Sequence, residues 1–298
     1  MCFNLGATPQ SIALQKNTSI TLLDNGTVVT NTYLRSANER TLYGDLFQWG
    51  RIADGHENRD AISINSTGGD DINDNCVSWN TTTPPTYENG ATIGTIQYPW
   101  QQVARSSTNY YGRFIKTTVD NDNFNWYAGV STTQSNADLL WRESAFPSND
   151  PCQHINNDGT TYYTFYPASS DPTSSSTGWR IPNPSEWASL YRGGAISGSP
   201  ANAYANTWSW YQFATGTAEG AKGYEIKPDG VTTTLFLPAV GNRNSANAML
   251  YYSGSIGRYW SGSASGVNAV CLSITSAGVY PAFVTYRGYG FALRCVKN

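Results

Sequence analysis

Short segments rich in β-branched and aromatic residues follow one another through the last quarter of the chain, separated by turns that contain glycine. The segments are TTTLFLPAV (232–240), GRYWSG (257–262), NAVCLSITS (268–276), GVYPAFV (278–284) and YGFALRCVK (289–297). Residues of these types, bounded by turn-forming residues, are typical of β-strands. The sequence therefore predicts that the chain ends in a run of short strands.

The clearest helix signal precedes these strands, in GWRIPNPSEWASLYRGG (178–194). Asn183 is a favourable cap, Pro184 suits the first helical position, and Glu186 follows the cap by three residues, as in a capping box. A second helix is predicted in SANERTLYGDLFQWGR (36–51). Because helices come before the run of strands, we predict an α+β fold with two short helices and a small antiparallel sheet.

Length and turn content suggest one domain with loop insertions. A chain of 298 residues is long enough for one or two domains, and all-β or α+β chains of this size often form a single domain. Turn-forming residues are dense between residues 52 and 123, and Ser, Pro and Thr dominate the second half of 153–177. We therefore predict a single domain over 1–298, with long loops inserted at about 52–123 and 153–177.

Charge and hydropathy argue against two classes of partner. The net charge is −3, charged residues make up 13% of the chain, and no cluster of Lys and Arg is present. Nucleic-acid binding needs a basic face, so it is not expected. No apolar run is long enough for a membrane helix, so membrane insertion is not expected either. The first residues, MCFNLGATPQ, lack the basic and apolar regions of a signal peptide.

Four segments resemble, in order, the bacterial FISUMP-type domain. They are YGDLFQWGR (43–51), NDPC…GWRIPNPSEW (149–187), FLPAVGNR (236–243) and YWSGS…GFALRCVKN (259–298). That family is similar in turn to C-type-lectin-like and formylglycine-generating-enzyme-like folds. The chain departs from the family at 153–177, because family members usually run directly from the Pro-Cys into the Gly-Trp-Arg.

The resemblance implies a C-type-lectin-like fold and a disulfide between Cys152 and Cys295. The alternative for this pair is two free, buried thiols. A disulfide across so long a loop would stabilise the fold by restricting the unfolded chain, in an oxidising compartment.

Bulky side chains lie near the C-terminal turns, where Asn, Ser or Asp are more usual. Some lectin-like and FISUMP-like domains resemble the variable proteins of diversity-generating retroelements, in which adenine-directed mutagenesis rewrites chosen codons near the 3′ end while scaffold codons stay fixed. Tyr is also frequent in binding surfaces because it is large, rigid and polar at its tip. The predicted ligand-binding residues are Leu250, Tyr251, Tyr252, Arg258, Val267, Cys271, Ser273, Tyr280, Phe283, Val284, Thr285, Tyr286 and Tyr289.

Ordinary packing is the competing interpretation of the same residues, because aromatic side chains near turns often cover a core. Val270, Leu272 and Ile274 alternate as the inward face of a strand does. Cys271 is therefore predicted on the opposite face, exposed at the ligand surface or, as the alternative, as a buried thiol. Five other apolar residues are predicted to form the buried scaffold beneath the ligand surface. Its members are Trp179, Trp187, Trp260, Phe291 and Leu293.

The sequence offers little for catalysis, and we predict no enzyme activity. His56 and His154 are the only histidines, and both lie among polar residues typical of solvated loops. No G-x-S-x-G nucleophile motif occurs. The related fold includes an oxidase with a reactive cysteine pair, but nothing near Cys271 or Cys295 would lower a thiol pKa.

Two oxygen-rich loops are candidates for calcium, and no other cofactor is predicted. The first, GGDDINDNC (68–76), offers Asp70, Asp71 and Asp74, and the second is VDNDNF (119–124). Ca²⁺ prefers such oxygen ligands, although Asp and Asn also dominate plain turns. Neither loop is an EF-hand, and the Glu-Pro-Asn and Trp-Asn-Asp motifs of sugar-binding C-type lectins are absent.

These observations predict a non-catalytic ligand-binding protein, a receptor-binding protein or adhesin, with a diversified C-terminal surface. We expect it outside the cell, on a virion or a cell surface, where it binds a protein or glycan of a target cell. One alternative is a fixed-sequence fimbrial or surface-coat subunit, whose aromatic residues are buried against an assembly partner. A second alternative is a relative of the oxidases or hydrolases.

Overall fold

A computed structural model describes much of the chain, including all of its last 80 residues. The described residues are 4–7, 15–16, 39–59, 75–82, 85, 87–88, 92–93, 96–97, 102–103, 110, 112–120, 123–127, 141, 150–154, 178–192, 207–215 and 218–298. Within them, no helix is long and apolar enough to cross a membrane.

Strands dominate the described structure, and the helices in it are short. The helices are α1 (Glu39–Tyr43) and α2 (Pro184–Arg192), with a 3₁₀ turn at Pro151–His154. The strands are β1 (Phe47–Gln48), β2 (Cys76–Ser78), β3 (Tyr87–Glu88), β4 (Thr92–Ile93), β5 (Ile96–Gln97), β6 (Gln102–Val103), β7 (Phe114–Lys116), β8 (Trp179–Arg180), β9 (Thr207–Thr215), β10 (Ala218–Lys227), β11 (Leu235–Pro238), β12 (Val240–Arg243), β13 (Leu250–Ser253), β14 (Ile256–Ser265), β15 (Asn268–Thr275), β16 (Gly278–Thr285), β17 (Gly290–Phe291) and β18 (Val296–Lys297). The predicted α+β class is confirmed.

The largest sheet is formed almost entirely by the C-terminal strands. Its order is β1-β17-β12-β14-β15-β16, and β13 also pairs with β12. Its pairs are antiparallel except for the short parallel contact between β12 and β14. A separate antiparallel sheet has the order β11-β10-β9. Strand β16 is thus an edge of the large sheet, and β15 lies inside it.

Helix α2 forms as its sequence predicts. The Asn183 side chain accepts a hydrogen bond from the Glu186 N–H at 2.9 Å, and Glu186 accepts one from the Asn183 N–H at 2.8 Å. This is a capping box, which satisfies two backbone donors at the start of the helix. Arg180 adds a two-pronged ion pair to the same carboxylate, which lowers the pKa of Glu186.

Two hydrophobic cores lie on opposite faces of β15. Cys271 belongs to the first core, with Trp260 and Phe291, whereas Leu272 and Ile274 belong to the second. The predicted inward face of Val270, Leu272 and Ile274 is confirmed, since all three are buried. The prediction of an exposed Cys271 is wrong, because an interior strand covered on both sides has no solvent face.

The predicted scaffold residues are buried, with one exception. Trp187, Trp260, Phe291 and Leu293 are all buried. Trp179 is half-buried, at the margin of the first core. The aromatic side chains therefore form the interior that supports the C-terminal strands.

The buried Arg287 connects two loops to this interior. Arg287 donates hydrogen bonds to the carbonyls of Asn268 at 3.1 Å and Gly266 at 2.7 Å, and its guanidinium lies 4.6 Å from the Trp49 ring centroid. Carbonyl acceptors offset the cost of burying the charge. Arg287 thereby ties the turn between β14 and β15 to the segment that follows β16.

A disulfide joins Cys152 to Cys295, the pair that the family resemblance implies. The two Cα atoms lie 5.6 Å apart, and the cysteines are 143 positions apart in sequence. Both side chains are buried in the first core. The link attaches the 3₁₀ turn at Pro151–His154 to the segment between β17 and β18.

The described parts of the two predicted insertions give different results. Residues 52–123 contain strands β2 to β7 and a largely buried segment at 52–59, so this stretch is not simply a surface loop. Residues 155–177 lie outside the described structure, as do Asp70, Asp71 and Asp74. The predicted calcium loop at 68–76 therefore stays a prediction.

Candidate ligand-binding surface

The register of β14, β15 and β16 aligns the predicted site residues in two rows. Residues directly opposite each other in an antiparallel pair project from the same face. The rows are Arg258–Ser273–Tyr280 and Trp260–Cys271–Phe283. On this face the interior strand holds the buried members, while the edge strand β16 carries the exposed Tyr280 and Phe283.

Beyond β16, a series of ring contacts runs from the surface into the core. Phe124 lies 4.7 Å from Tyr286 between ring centroids, and Tyr286 stacks on Tyr289 at 6.3 Å. Tyr289 then stacks on Phe291 at 5.7 Å, and Phe291 on Trp260 at 4.2 Å. We call these five residues the aromatic ladder. Tyr286, near its outer end, is exposed, Phe124 is half-buried, and its inner end, Trp260, is fully buried.

Arg258 connects the edge strand to this ladder. Its guanidinium carbon lies 5.1 Å from the Phe283 ring centroid and 5.2 Å from that of Phe291, within the range of cation–π attraction. We call Phe124, Arg258, Tyr280, Phe283, Tyr286 and Tyr289 together the aromatic surface. It joins residues from β14, β16, the segment after β16 and the 123–127 loop.

Exposed apolar side chains concentrate in the C-terminal region. In the described structure, seven large hydrophobic side chains are exposed, and five of them lie between residues 252 and 286. These five are Tyr252, Tyr280, Phe283, Val284 and Tyr286. Tyr280 exposes 50% of its surface and Tyr286 exposes 39%. A group of exposed aromatic residues of this kind is typical of an interaction site.

Four of the predicted ligand-binding residues are buried, and for these the prediction is corrected. Cys271 and Ser273 lie on the interior strand β15, Thr285 ends β16 facing inward, and Leu250 packs in the second core. Burial raises the pKa of the Cys271 thiol to about 12, although nearby Arg258 acts in the opposite direction. Cys271 is therefore a protonated core residue at neutral pH.

Tyr251 and Tyr252 lie apart from the aromatic surface. They belong to β13, which pairs with β12, so β14 and β15 separate them from β16. Tyr252 is exposed and has a φ of 62°, a conformation that Gly or Asn adopts at less cost. Asn247 donates a hydrogen bond to the Tyr251 hydroxyl at 2.9 Å.

Val267 and Phe124 give contrasting outcomes for the sequence predictions. Val267 is half-buried and packs against the first core, so it contributes little exposed area. The sequence does not indicate Phe124, because its segment, VDNDNF, has the composition of an oxygen-rich loop. The Phe124 backbone lies close to Gly288, and this contact positions the Phe124 ring beside Tyr286. The Phe124 carbonyl oxygen accepts a hydrogen bond from the Gly288 N–H at 3.0 Å, and a Cβ at Gly288 would collide with that oxygen.

A second group of polar residues lies deep in the fold, around His56. The predicted solvated loop at His56 is wrong, because its side chain is fully buried. Its Nδ1 lies 2.6 Å from an Asp54 oxygen, and its Nε2 accepts a hydrogen bond from the Gln48 N–H at 3.0 Å. Arg51 donates to the other Asp54 oxygen at 2.7 Å. Both nitrogens of a neutral His56 are thereby satisfied.

Asp54, His56 and Glu57 have ligand atoms within 4.8 Å of one another, a spacing that suits a metal ion. The partners of these atoms argue against that role. His56 Nε2 faces a backbone donor and Asp54 is paired with Arg51, so neither offers a free lone pair in a suitable direction. The residues fit a closed hydrogen-bonded network better than a metal centre.

Burial and charge shift the pKa values in this network in opposite directions. Burial, followed by repulsion from Arg51, lowers the pKa of His56 to about 4. Burial, followed by repulsion from Asp54 and Asp45, raises the pKa of Glu57 to about 8. Burial alone would raise the pKa of Asp54, but Arg51 and His56 outweigh it and hold that pKa well below its usual range.

These shifts predict that stability falls as the pH rises from 6.5 to about 8. Stability from a protonated Glu57 is present below its ordinary pKa of 4.5 and is lost as pH rises toward 8. The contribution of a neutral His56 to stability is fully present above pH 6.5, because its pKa is lowered from 6.5 in the folded state. Between pH 6.5 and 8 the free energy of unfolding should therefore fall by on the order of 1–2 kcal/mol through Glu57. Chemical denaturation of the protein and of Glu57→Gln across this range measures the difference.

Glu57→Gln should flatten this pH dependence, because an amide does not titrate. Asp120→Asn serves as the control, since it removes an exposed carboxylate outside the network and should leave the slope unchanged. An equal slope in the protein and in Glu57→Gln would show that Glu57 is ionised in the folded state at neutral pH.

Comparison with known proteins finds no similarity that assigns a family. No protein-family profile, no curated protein and no solved structure matches the chain. Its function must therefore be inferred from the site itself.

Proposed function

We propose that the protein is a non-catalytic binding module that presents the aromatic surface to a ligand. The observation that carries this proposal is the contiguity of exposed Phe and Tyr side chains with Arg258 at the edge of the large sheet. Tyr and Arg are enriched among the residues that dominate binding energy at interfaces. Tyr adds large contact area at a low cost in side-chain entropy.

The buried residues beneath the aromatic surface also support a role in binding. Tyr286 and Tyr289 rest on Phe291 and Trp260, which are fully buried. A surface held in place before binding loses less conformational entropy when the ligand arrives. The nearby Cys152–Cys295 disulfide anchors the same C-terminal segment.

We further propose that the α+β scaffold is of the C-type-lectin-like type and that its exposed C-terminal residues are diversified, as in the variable proteins of retroelements. The strained, exposed Tyr252 supports diversification, because selection for folding alone favours Gly or Asn at such a φ. A location outside the cell, on a virion or a cell surface, suits a buried structural disulfide. The ligand would then be a molecule on a target cell.

Sequencing the gene from many individuals of the source population tests diversification. We expect substitutions to accumulate at exposed positions and to spare the buried ones, because only exposed changes alter binding without a cost in stability. The exposed set is Tyr252, Tyr280, Phe283, Val284 and Tyr286, and the matched buried set is Leu250, Cys271, Leu272 and Trp260.

Evenly scattered changes, or fewer changes at the exposed set than elsewhere, would contradict diversification. Invariant exposed aromatics would instead favour the fixed-sequence surface subunit, in which these side chains are buried against one assembly partner. Burial against a fixed partner would keep the same residues apolar in every individual.

A further inference from the structure

We infer that the aromatic surface recognises a protein partner through a carboxylate, an Asp or Glu side chain placed against Arg258. This inference rests on the proposed binding function and adds the chemistry of the ligand. Three observations support it: the Arg258 side chain has no hydrogen-bond or ion-pair partner among the described residues, the C-terminal strands contain no carboxylate, and the residues around the guanidinium are apolar or aromatic.

Arg258 differs from the other arginines of the C-terminal region. Within the described residues its side chain forms no hydrogen bond or ion pair, its Nε is buried without an acceptor, and its contacts are the rings of Phe283 and Phe291. By contrast, Arg287 donates to Asn268 and Gly266, and Arg294 donates twice to Phe236. The donors of the two terminal nitrogens of Arg258 are therefore unused by the described residues and can bind a ligand.

The surrounding sequence cannot neutralise this cation. None of the 21 Asp and Glu residues of the chain comes after Asp229, so β11 to β18 contain no carboxylate. A guanidinium lying against aromatic rings is partly removed from water, which strengthens its attraction for an anion. A carboxylate matches the planar fork of donors and can accept two hydrogen bonds from it.

The neighbours of Arg258 favour a protein over a glycan as the source of the carboxylate. Phe283 and Tyr286 supply apolar contact area, which suits the apolar side chains that surround an acidic residue at a protein interface. Sugar hydroxyls need several acceptors as well as donors. In β14 to β16 there is no carboxylate, and the one carboxamide is Asn268.

Selection from a phage-displayed library of random peptides tests this inference even while the partner is unidentified. The whole protein, Arg258→Gln and Lys297→Gln are each immobilised and the bound peptides sequenced. Lys297 is the matched control, since it also lies over an aromatic ring, Trp179 at 6.0 Å, but outside the aromatic surface. Thermal unfolding of each variant confirms that it is folded.

We expect the protein and Lys297→Gln to enrich peptides that place Asp or Glu beside aromatic or aliphatic residues. Arg258→Gln should still enrich apolar peptides but lose the acidic preference. For a selected peptide, replacing its acidic residue by the amide should weaken binding about 10- to 100-fold to the protein. The same replacement should have little effect on binding to Arg258→Gln, and Arg258→Lys should show an intermediate loss.

The other outcomes separate this inference from the proposed function. Enriched peptides without an acidic preference, or with the same preference in Arg258→Gln, would overturn the role of Arg258 while leaving the surface in place. Binding of sialylated or glucuronylated glycans with no peptide enrichment would overturn the assignment to a protein. If the selected peptides bind Phe283→Ala and Tyr286→Ala with the same affinity as the unmodified protein, the aromatic surface is not where they bind.

Discussion

Replacing Cys152 and Cys295 together by Ala should lower the free energy of unfolding by about 4–5 kcal/mol. The disulfide connects positions 143 apart, and a loop of this length places the expected loss near the upper end for a single disulfide. Both cysteine side chains are buried in the first core, so their replacement also removes a small amount of packing. Guanidinium denaturation followed by tryptophan fluorescence measures the change.

Cys271→Ala provides the matched control for this measurement. Cys271 is a free cysteine that is fully buried in the same core, so its replacement removes a thiol without opening a loop. Its cost should be about 1 kcal/mol. Under a strong reductant the unmodified protein should lose most of its advantage over the double variant. Equal stability of the oxidised protein and the double variant would show that the link does not restrain the unfolded chain.

The position of the disulfide matters for the ligand surface. Cys295 follows Phe291 by four residues, and Phe291 supports both Arg258 and Tyr289. Loss of the link should therefore loosen the segment under the aromatic surface as well as the fold. For the proposed diversified surface, this arrangement would allow changes at exposed positions, because the residues that anchor the surface lie elsewhere.

The sequence predicts those features that depend on neighbouring residues. The capping box of α2 needs only Asn183 and Glu186, three positions apart, and it forms as predicted. The alternation of Val270, Leu272 and Ile274 identifies which residues share a face of β15. The edge residues Tyr280, Phe283 and Tyr286 are exposed as predicted, because bulky residues beside turns at the end of a sheet have few neighbours.

The remaining features depend on segments distant in sequence. Period-two alternation places Cys271 opposite its neighbours, but it does not reveal that a second core covers that face. His56 looks solvated among charged residues, yet Asp54 and the Gln48 backbone satisfy it in the interior. Phe124 enters the aromatic surface only because its loop meets Gly288. No local pattern carries this information.

Truncation along the aromatic ladder should separate stability from binding. Trp260→Ala should lower the free energy of unfolding by about 3–5 kcal/mol, because it removes a fully buried ring, its stacking on Phe291 at 4.2 Å and the hydrogen bond from its Nε1 to the Phe47 carbonyl at 2.7 Å. Tyr286→Ala at the exposed end should cost about 1 kcal/mol or less. Denaturation curves for both variants measure these values.

When binding is compared on folded protein, Tyr286→Ala should weaken it more than Trp260→Ala does, the reverse of their order in stability. Measured on folded protein with a peptide selected as above, Tyr286→Ala should weaken binding at least about tenfold, as expected for a central aromatic contact. Val231→Ala removes a side chain that is 80% exposed and distant in sequence from the surface, so it should change neither quantity. A loss of several kcal/mol in stability for Tyr286→Ala would instead identify Tyr286 as a core residue. The exposed rings would then cover the interior, and the ligand would have to bind elsewhere on the chain.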